Sequence, residues 1–361
     1  MKISIIGTRG IPSSYGGFET FAEEISVLLT REGYEVAVQC DKDSFDEERH
    51  RGVSLFYSSC TKSSDPLRYY FEGIRWALAN SDIVIVTGSV GSIFYFMNLF
   101  RKKVLITNTD GIEYKRSKWS FIHRMYLRFS ELLAIYLSDI VIADSMEIKN
   151  YLLKRYPFSD KRIRVIEYGA WVNDTVNVKI LERYNLKSRK YYLVVCRLVP
   201  ENNLSMIIDG YNVSGSSLPL IIIGQLGSES YVNKLVDKYN CEMVRFLDAI
   251  HDKEILGSIR FGCKAYIHGH SVGGTNPSLL EAMASGNAII CHDNRFNREV
   301  TDNKQLYFSD SYECSNLIKR IENMEDAEYQ NRRKDSVSMI TSYYNWENIL
   351  EKYINLFNSL K

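Results

Sequence analysis

Residues 266–286, YIHGHSVGGTNPSLLEAMASG, constrain this chain more than any other stretch. They read as the end of a short strand (265–268), a loop of small residues, and a helix that opens at Pro277. Proline suits a first helical turn, where the N–H it lacks has no helical partner. Thr275 or Asn276 supplies a cap, and Glu281, Ala282, Met283 and Ala284 are good helix residues. Gly273 and Gly274 admit positive φ and let the backbone come close to a ligand. Amides at a helix start, with the helix dipole behind them, suit a phosphate-like anion. One turn further in, Glu281 is placed to face a polyhydroxyl group beside that anion. A tight turn before a packed helix would account for a lone glycine pair. The whole run, with His268, His270 and Asn276, favours a sugar-nucleotide site.

A chain of 361 residues points to two domains, and 45% hydrophobic content is ordinary for globular cores. The net charge of +1 argues against a general nucleic-acid binder. The cysteines (Cys40, Cys60, Cys196, Cys241, Cys263, Cys291 and Cys314) are odd in number, scattered and without a CxxC. That usage predicts reduced thiols in a cytoplasmic protein, with neither a disulfide framework nor a zinc site. The opening MKISIIGTRG reads as a first strand running into a glycine loop rather than a signal peptide, and no apolar run is long enough to span a bilayer.

Taken in order, 2–7 is a buried parallel strand, 8–17 a glycine-containing loop, 19–31 an amphipathic helix with Phe21, Ile25, Leu28 and Leu29 inward, and 36–39 the next strand. This is the βαβ opening of a doubly wound sheet, although its glycines do not follow GxGxxG. Further strands are expected at 83–86, 104–107 and 140–143, with helices near 67–80 and 121–137. A fresh α/β series begins after about residue 170, with strands at 191–196, 218–224, 243–246, 265–268, 288–291 and 306–308. The last stretch, 346–360, places Ile349, Leu350, Tyr353, Ile354 and Phe357 at helical spacing. Ligands of doubly wound sheets bind beyond the carboxyl ends of the strands, which singles out the loops 7–17, 108–113 and 269–276.

The pattern P-x-x-x-E-A-M-A-x-G over 277–286 resembles the donor-binding signature of retaining family-four glycosyltransferases of the GT-B fold. GGTNPSLLEAMA, with the N-terminal GTRGIPSSYGGFET, is similar to a narrower group, the bacterial rhamnosyltransferases of surface-polysaccharide assembly. The resemblance implies an α/β, GT-B chain of two doubly wound Rossmann-like domains with an interdomain cleft. Residues 1–170 would be the acceptor-side domain, 171–340 the nucleotide-sugar-binding domain, and 341–361 a helix packing back on the first. It further implies transfer, with retention, of L-rhamnose from dTDP-rhamnose onto a lipid-diphosphate-linked glycan, with no metal and no other cofactor, at the inner face of the cytoplasmic membrane. A UDP- or GDP-sugar donor, a non-catalytic sugar-nucleotide-binding subunit and a sugar-nucleotide epimerase are the alternatives.

The family signature carries two glutamates eight positions apart. Glu281 occupies the second position, which holds the nucleotide ribose, and Gly273 stands at the first. Arg197, which ends the run YYLVVCR, matches the arginine that grips the donor diphosphate, while Asn202 occupies the place of its partner lysine. Gly16 and Gly17 match the family's N-terminal glycine pair. Asp110 follows a strand, where relatives often carry a histidine near the transferred sugar; an acid there orients the acceptor hydroxyl or takes its proton, with Glu113 the alternative. Tyr15, Lys115 and Arg116 are acceptor-side candidates. His268 and His270 lack a third ligand of suitable spacing, so His270 is expected to bond donor sugar or phosphate and His268 to pack beneath it. Between 101 and 128 basic residues far outnumber acidic ones, directly after the apolar segment 93–100. A solvated basic face and an anionic membrane surface are both compatible with that composition.

Overall fold

Short apolar runs rich in Ile and Val form the strands of two largely parallel sheets, as expected where both faces of a strand are covered. The computed structural model describes residues 1–13, 16–42, 47–109, 111, 113–115, 119–227 and 230–360. It divides into one unit of residues 1–168 with 346–361, and a second of residues 169–345.

The first unit holds β1 (Lys2–Ile6), β2 (Glu35–Cys40), β3 (Arg49–His50), β4 (Val53–Tyr57), β5 (Ile83–Thr87), β6 (Val104–Asn108), β7 (Ile140–Ala143) and β8 (Ile163–Val165). Their order is β3-β4-β2-β1-β5-β6-β7-β8, parallel throughout except for the antiparallel β3–β4 pair at one edge. The order reverses between β1 and β5, so the loops after those strands open at a topological switch point. Helices α1 (Gly17–Arg31), α2 (Pro66–Asn80), α3 (Phe121–Leu137) and α4 (Met146–Arg155) connect the strands. Phe21, Ile25, Leu28 and Leu29 of α1 are buried, as their spacing demands. Asp65, Ser120 and Ser145 cap α2, α3 and α4 by accepting from the amides of Arg68, His123 and Ile148. The apolar segment Val90–Phe100 forms a 3-10 stretch. Its Gly91 lies so close to Tyr70 that a Cβ there would come within 2.5 Å of the ring. The terminal helix Trp346–Ser359 belongs to this unit: Tyr353 packs 5.8 Å from Phe21, and Lys352 bonds Glu167 at 2.5 Å.

The second unit contains β9 (Tyr192–Val195), β10 (Leu220–Ile223), β11 (Val244–Leu247), β12 (Ala265–His268), β13 (Ala288–His292) and β14 (Leu306–Phe308), all parallel in the order β11-β10-β9-β12-β13-β14. Here the reversal falls between β9 and β12. The helices are α5 (Val178–Arg183), α6 (Leu204–Ser214), α7 (Ser230–Tyr239), α8 (Lys253–Gly262), α9 (Pro277–Ala284), α10 (Arg295–Val300), α11 (Ser311–Glu322) and α12 (Asp326–Met339). One core cluster joins the sheet to α6, α7 and α11 through Tyr192, Ile207, Leu235, Ile290, Phe308 and Ile318. Burial pushes the thiols of Cys196, Cys263 and Cys314 up to about 12, so they stay protonated at neutral pH.

Candidate functional site

The switch point of the second sheet places the loop after β9, which carries Arg197 and Asn202, against the loop after β12 that leads to α9. Several bonds join the two loops. Asn203 donates its side-chain amide to the Gly269 carbonyl at 2.8 Å, and Ser271 donates both its backbone N–H (3.1 Å) and its hydroxyl (2.9 Å) to the Glu201 carbonyl. Gly269 is required for this approach, because a Cβ there would lie 2.1 Å from the Asn202 carbonyl oxygen. On the other flank, Asn294 and Asn297 each donate to the His270 carbonyl, at 2.9 and 3.0 Å. The β12 loop is thereby held between the ends of its two neighbouring strands.

Asn202 is buried and donates its side-chain amide to the Arg197 carbonyl at 2.7 Å. It therefore shapes the turn from which the exposed Arg197 side chain projects. Asn203 takes a left-handed backbone, φ 51°, at the start of α6, a conformation asparagine tolerates better than most residues.

Asn276 caps α9: its Oδ1 accepts from the Ser278 backbone N–H at 3.1 Å and from the Ser278 hydroxyl at 2.9 Å, with Pro277 in the first turn. Thr275 is buried beside it. Of the two glycines, Gly273 takes the positive φ (138°), while Gly274 does not need it. Nothing lies within 4 Å of a Cβ built on Gly273, so open space surrounds it. Glu281, one turn into α9, is paired with Arg260 of α8, Nη2 to Oε2 at 2.5 Å. The arginine is nearly buried and the glutamate about one-third exposed, so a fixed cation orients a carboxylate that still reaches solvent. The sequence pattern did not single out Arg260. Its signal was an arginine next to Ile259 on the buried face of an amphipathic helix.

His268 is buried, and neither ring nitrogen has a hydrogen-bond partner among the described residues. Burial, reinforced by the nearby His292, lowers its pKa to about 3, so it is neutral at physiological pH. Its ring stacks on His270, with centroids 4.3 Å apart and planes 10° from parallel. Among the described residues, no group of three or more His, Cys, Asp or Glu gathers as a metal site would require.

In the first unit, Gly16 is the residue before α1, with extended backbone (φ −170°) that any residue adopts, and Gly17 opens the helix. The glycines that the preceding loop requires are Gly7 and Gly10, at φ 88° and 118°, where a Cβ would meet Tyr70 and Cys40 at 2.6 and 2.7 Å. Carboxylates of α1 hold that loop: Glu19 accepts from the Arg9 N–H and Glu23 from the Ser13 N–H, each at 3.0 Å. These acids were not distinguished in the sequence from ordinary helix surface. Glu113 sits in a short 3-10 turn and accepts from the Trp119 indole at 3.1 Å. Tyr15, Asp110 and Arg116 lie outside the described residues, as does the side chain of Lys115.

Residues 179–338 match the sequence family described as glycosyl transferases group 1, and residues 1–171 match a domain of unknown function, DUF1972. An uncharacterized glycosyltransferase of Methanocaldococcus jannaschii is 24% identical over 383 residues, covering 96% of this chain and 95% of that protein. The O-antigen chain mannosyltransferase RfbU of Salmonella typhimurium is 28% identical over 216 residues, 58% of each chain. Among solved structures, HepE of Anabaena, in complex with UDP and glucose, superposes with a TM-score of 0.79 at 16% identity over 99% of this chain and 100% of that one. The fold of two Rossmann-like domains is the GT-B fold.

Proposed function

We propose that this chain, which carries a domain matching the group 1 glycosyltransferases, is a transferase that uses a nucleotide-sugar donor and moves L-rhamnose from dTDP-rhamnose, with retention, onto a lipid-diphosphate-linked glycan. The observation that supports a donor site in the second unit is the joining of the β9 and β12 loops beside the start of α9, with Glu281 held by Arg260. In this proposal the amides at residues 274–276 and the Arg197 guanidinium receive the diphosphate. Charge-assisted hydrogen bonds of this kind contribute roughly 1.5–3 kcal/mol each, and more as negative charge grows on the departing nucleotide.

Glu281 accepts from a hydroxyl of the nucleotide sugar, and Arg260 keeps its carboxylate aimed. With Gly273 where the family signature has its first glutamate, the usual carboxylate contact to the donor sugar is missing. His270 bonds the sugar or a phosphate oxygen, with neutral His268 stacked against its ring. Asp110 orients the acceptor hydroxyl or takes its proton as the new glycosidic bond forms. The reaction needs no metal in this scheme, because the leaving diphosphate is stabilised by Arg197 and the amides at residues 274–276.

A UDP- or GDP-sugar donor is the second reading. It is favoured by the solved HepE complex with UDP and glucose and by the mannosyltransferase relative. Transfer assays with dTDP-rhamnose, UDP-glucose and GDP-mannose on a lipid-diphosphate-linked acceptor separate the two. Product from dTDP-rhamnose with retained anomeric configuration is the expected result. Turnover with the other donors alone contradicts the rhamnose assignment, and an inverted product contradicts retention.

A further inference from the structure

Helix α3 presents an apolar stripe to solvent. Phe121 and Ile122 are 75% and 77% exposed, Met125, Phe129 and Tyr136 lie between 44% and 55%, and Leu132 is 37% exposed. At 3.6 residues per turn these six fall within an arc of about 100°. The opposite side of the helix is the one that packs: Leu127, Ser130, Ala134 and Ile135 are buried. Alongside runs the 3-10 stretch Val90–Phe100, tied to α3 where Tyr126 donates to the Val90 carbonyl (2.7 Å) and Ser92 to the Ser130 carbonyl (2.6 Å). Its end adds Phe96, Leu99 and Phe100, the last 89% exposed, and then the exposed Arg101 and Lys102. Scattered exposed apolar residues are ordinary, but so many together mark an interaction surface.

Charge selects the partner. The acid on α3, Glu131, is buried, where it accepts from Tyr156 at 2.8 Å and pairs with Arg155 at 3.3 Å. The accessible charge beside the stripe on α3 is therefore cationic, carried by the exposed Arg128, which lies 4.7 Å over the Tyr114 ring, with the half-buried Arg124 one turn before it. No helix among the described residues is long and apolar enough to cross a membrane. An apolar stripe bordered by arginine and lysine is the chemistry that seats a helix in the headgroup–acyl boundary of a negatively charged bilayer.

We propose that α3 and the end of the 3-10 stretch form a docking surface for an anionic phospholipid bilayer. The surface lies wholly in the first unit and stands independently of the donor site. Flotation of the full chain with vesicles of phosphatidylcholine alone and of phosphatidylcholine with phosphatidylglycerol tests it. The wild-type chain floats with the anionic vesicles and not with the neutral ones, and added salt weakens the association. The variant Phe121→Ser/Ile122→Ser/Phe129→Ser loses partitioning roughly tenfold or more, and Arg101→Glu/Lys102→Glu also weakens it. Unchanged circular dichroism and melting temperature show that these surface changes leave the fold intact. Absence of flotation with anionic vesicles, or equal flotation with neutral ones, overturns the proposal. So does dimerisation in sedimentation that the serine variant abolishes while vesicle binding persists unchanged.

Discussion

Arg260 and Glu281 meet at 2.5 Å between two consecutive helices of the second unit, the arginine nearly buried and the glutamate partly open to solvent. In the proposed site the pair keeps the carboxylate of α9 in one orientation before a nucleotide arrives. Replacing Arg260 with Met keeps most of the packed stem and removes the charge. We expect nucleotide-sugar affinity to fall by roughly 1–3 kcal/mol, about the value of an oriented charge-assisted bond, measured by isothermal titration calorimetry. Glu281→Gln should lower affinity by a similar amount, and the double variant should lose less than the sum, as for groups that act as a pair. Additive losses would show that the two residues act separately.

The two loop glycines should behave oppositely. Gly273→Ala meets no neighbour within 4 Å but is strained by φ 138°, so it should cost about 1–2 kcal/mol of backbone energy and act chiefly on ligand binding. Gly269→Ala places a Cβ 2.1 Å from the Asn202 carbonyl and must force the β9 and β12 loops apart. Its melting temperature should fall further than that of Gly273→Ala, and nucleotide binding should be lost with it. Equal melting temperatures would show that the loops separate freely.

The expected strand–loop–helix at 265–284 matches β12 and α9 with the cap at Asn276, because proline, asparagine and glycine act locally there. The helix at 121–137 also agrees with its expected bounds, but its apolar periodicity carried no information about which face packs. The features that hold the site together were not legible in the same way. Asn203 reaches Gly269 across 66 positions in sequence, and Arg260 meets Glu281 only once α8 and α9 are placed by the sheet. The glycines at 16 and 17 stand out in the sequence because they match the family's N-terminal glycine pair, whereas Gly7 and Gly10 are the ones whose conformation and close contacts require glycine. A motif match is visible in a sequence; a clash with Tyr70 or Cys40 is not.

His268 makes stability depend on acid. Its pKa in the folded chain, about 3, lies below its ordinary value of 6.5, so between those values the unfolded chain binds more protons than the folded one. Stability therefore rises with pH across this window and is lost as pH falls through it, by at most roughly 1.4 kcal/mol per pH unit for one such group. His292, also lowered by burial, adds to the same trend. His268→Phe removes two unpartnered ring nitrogens, and its urea-unfolding free energy should fall less steeply below pH 6.5 than that of the wild type. An unchanged acid limb would show that His268 is already charged or solvated in the native state.

Asn202 fixes the carbonyl of Arg197 rather than offering its amide to the loop's open side. Asn202→Ala should therefore cost about 1 kcal/mol in stability by removing one of the two bonds to the Arg197 carbonyl, which the Val199 N–H still holds at 2.9 Å. It should also weaken nucleotide binding indirectly, by freeing the turn that carries Arg197. Unaltered stability would mean that water or another donor replaces the amide without cost.

The most direct test of a diphosphate site at the joined β9 and β12 loops is a thermal-shift titration of the wild-type chain and of Arg197→Ala with dTDP, UDP and GDP. The account predicts that dTDP raises the wild-type melting temperature most and that Arg197→Ala, folded as before, loses most of that rise. A rise that is the same in both chains, or no response of the wild type to any of the three nucleotides, would contradict it.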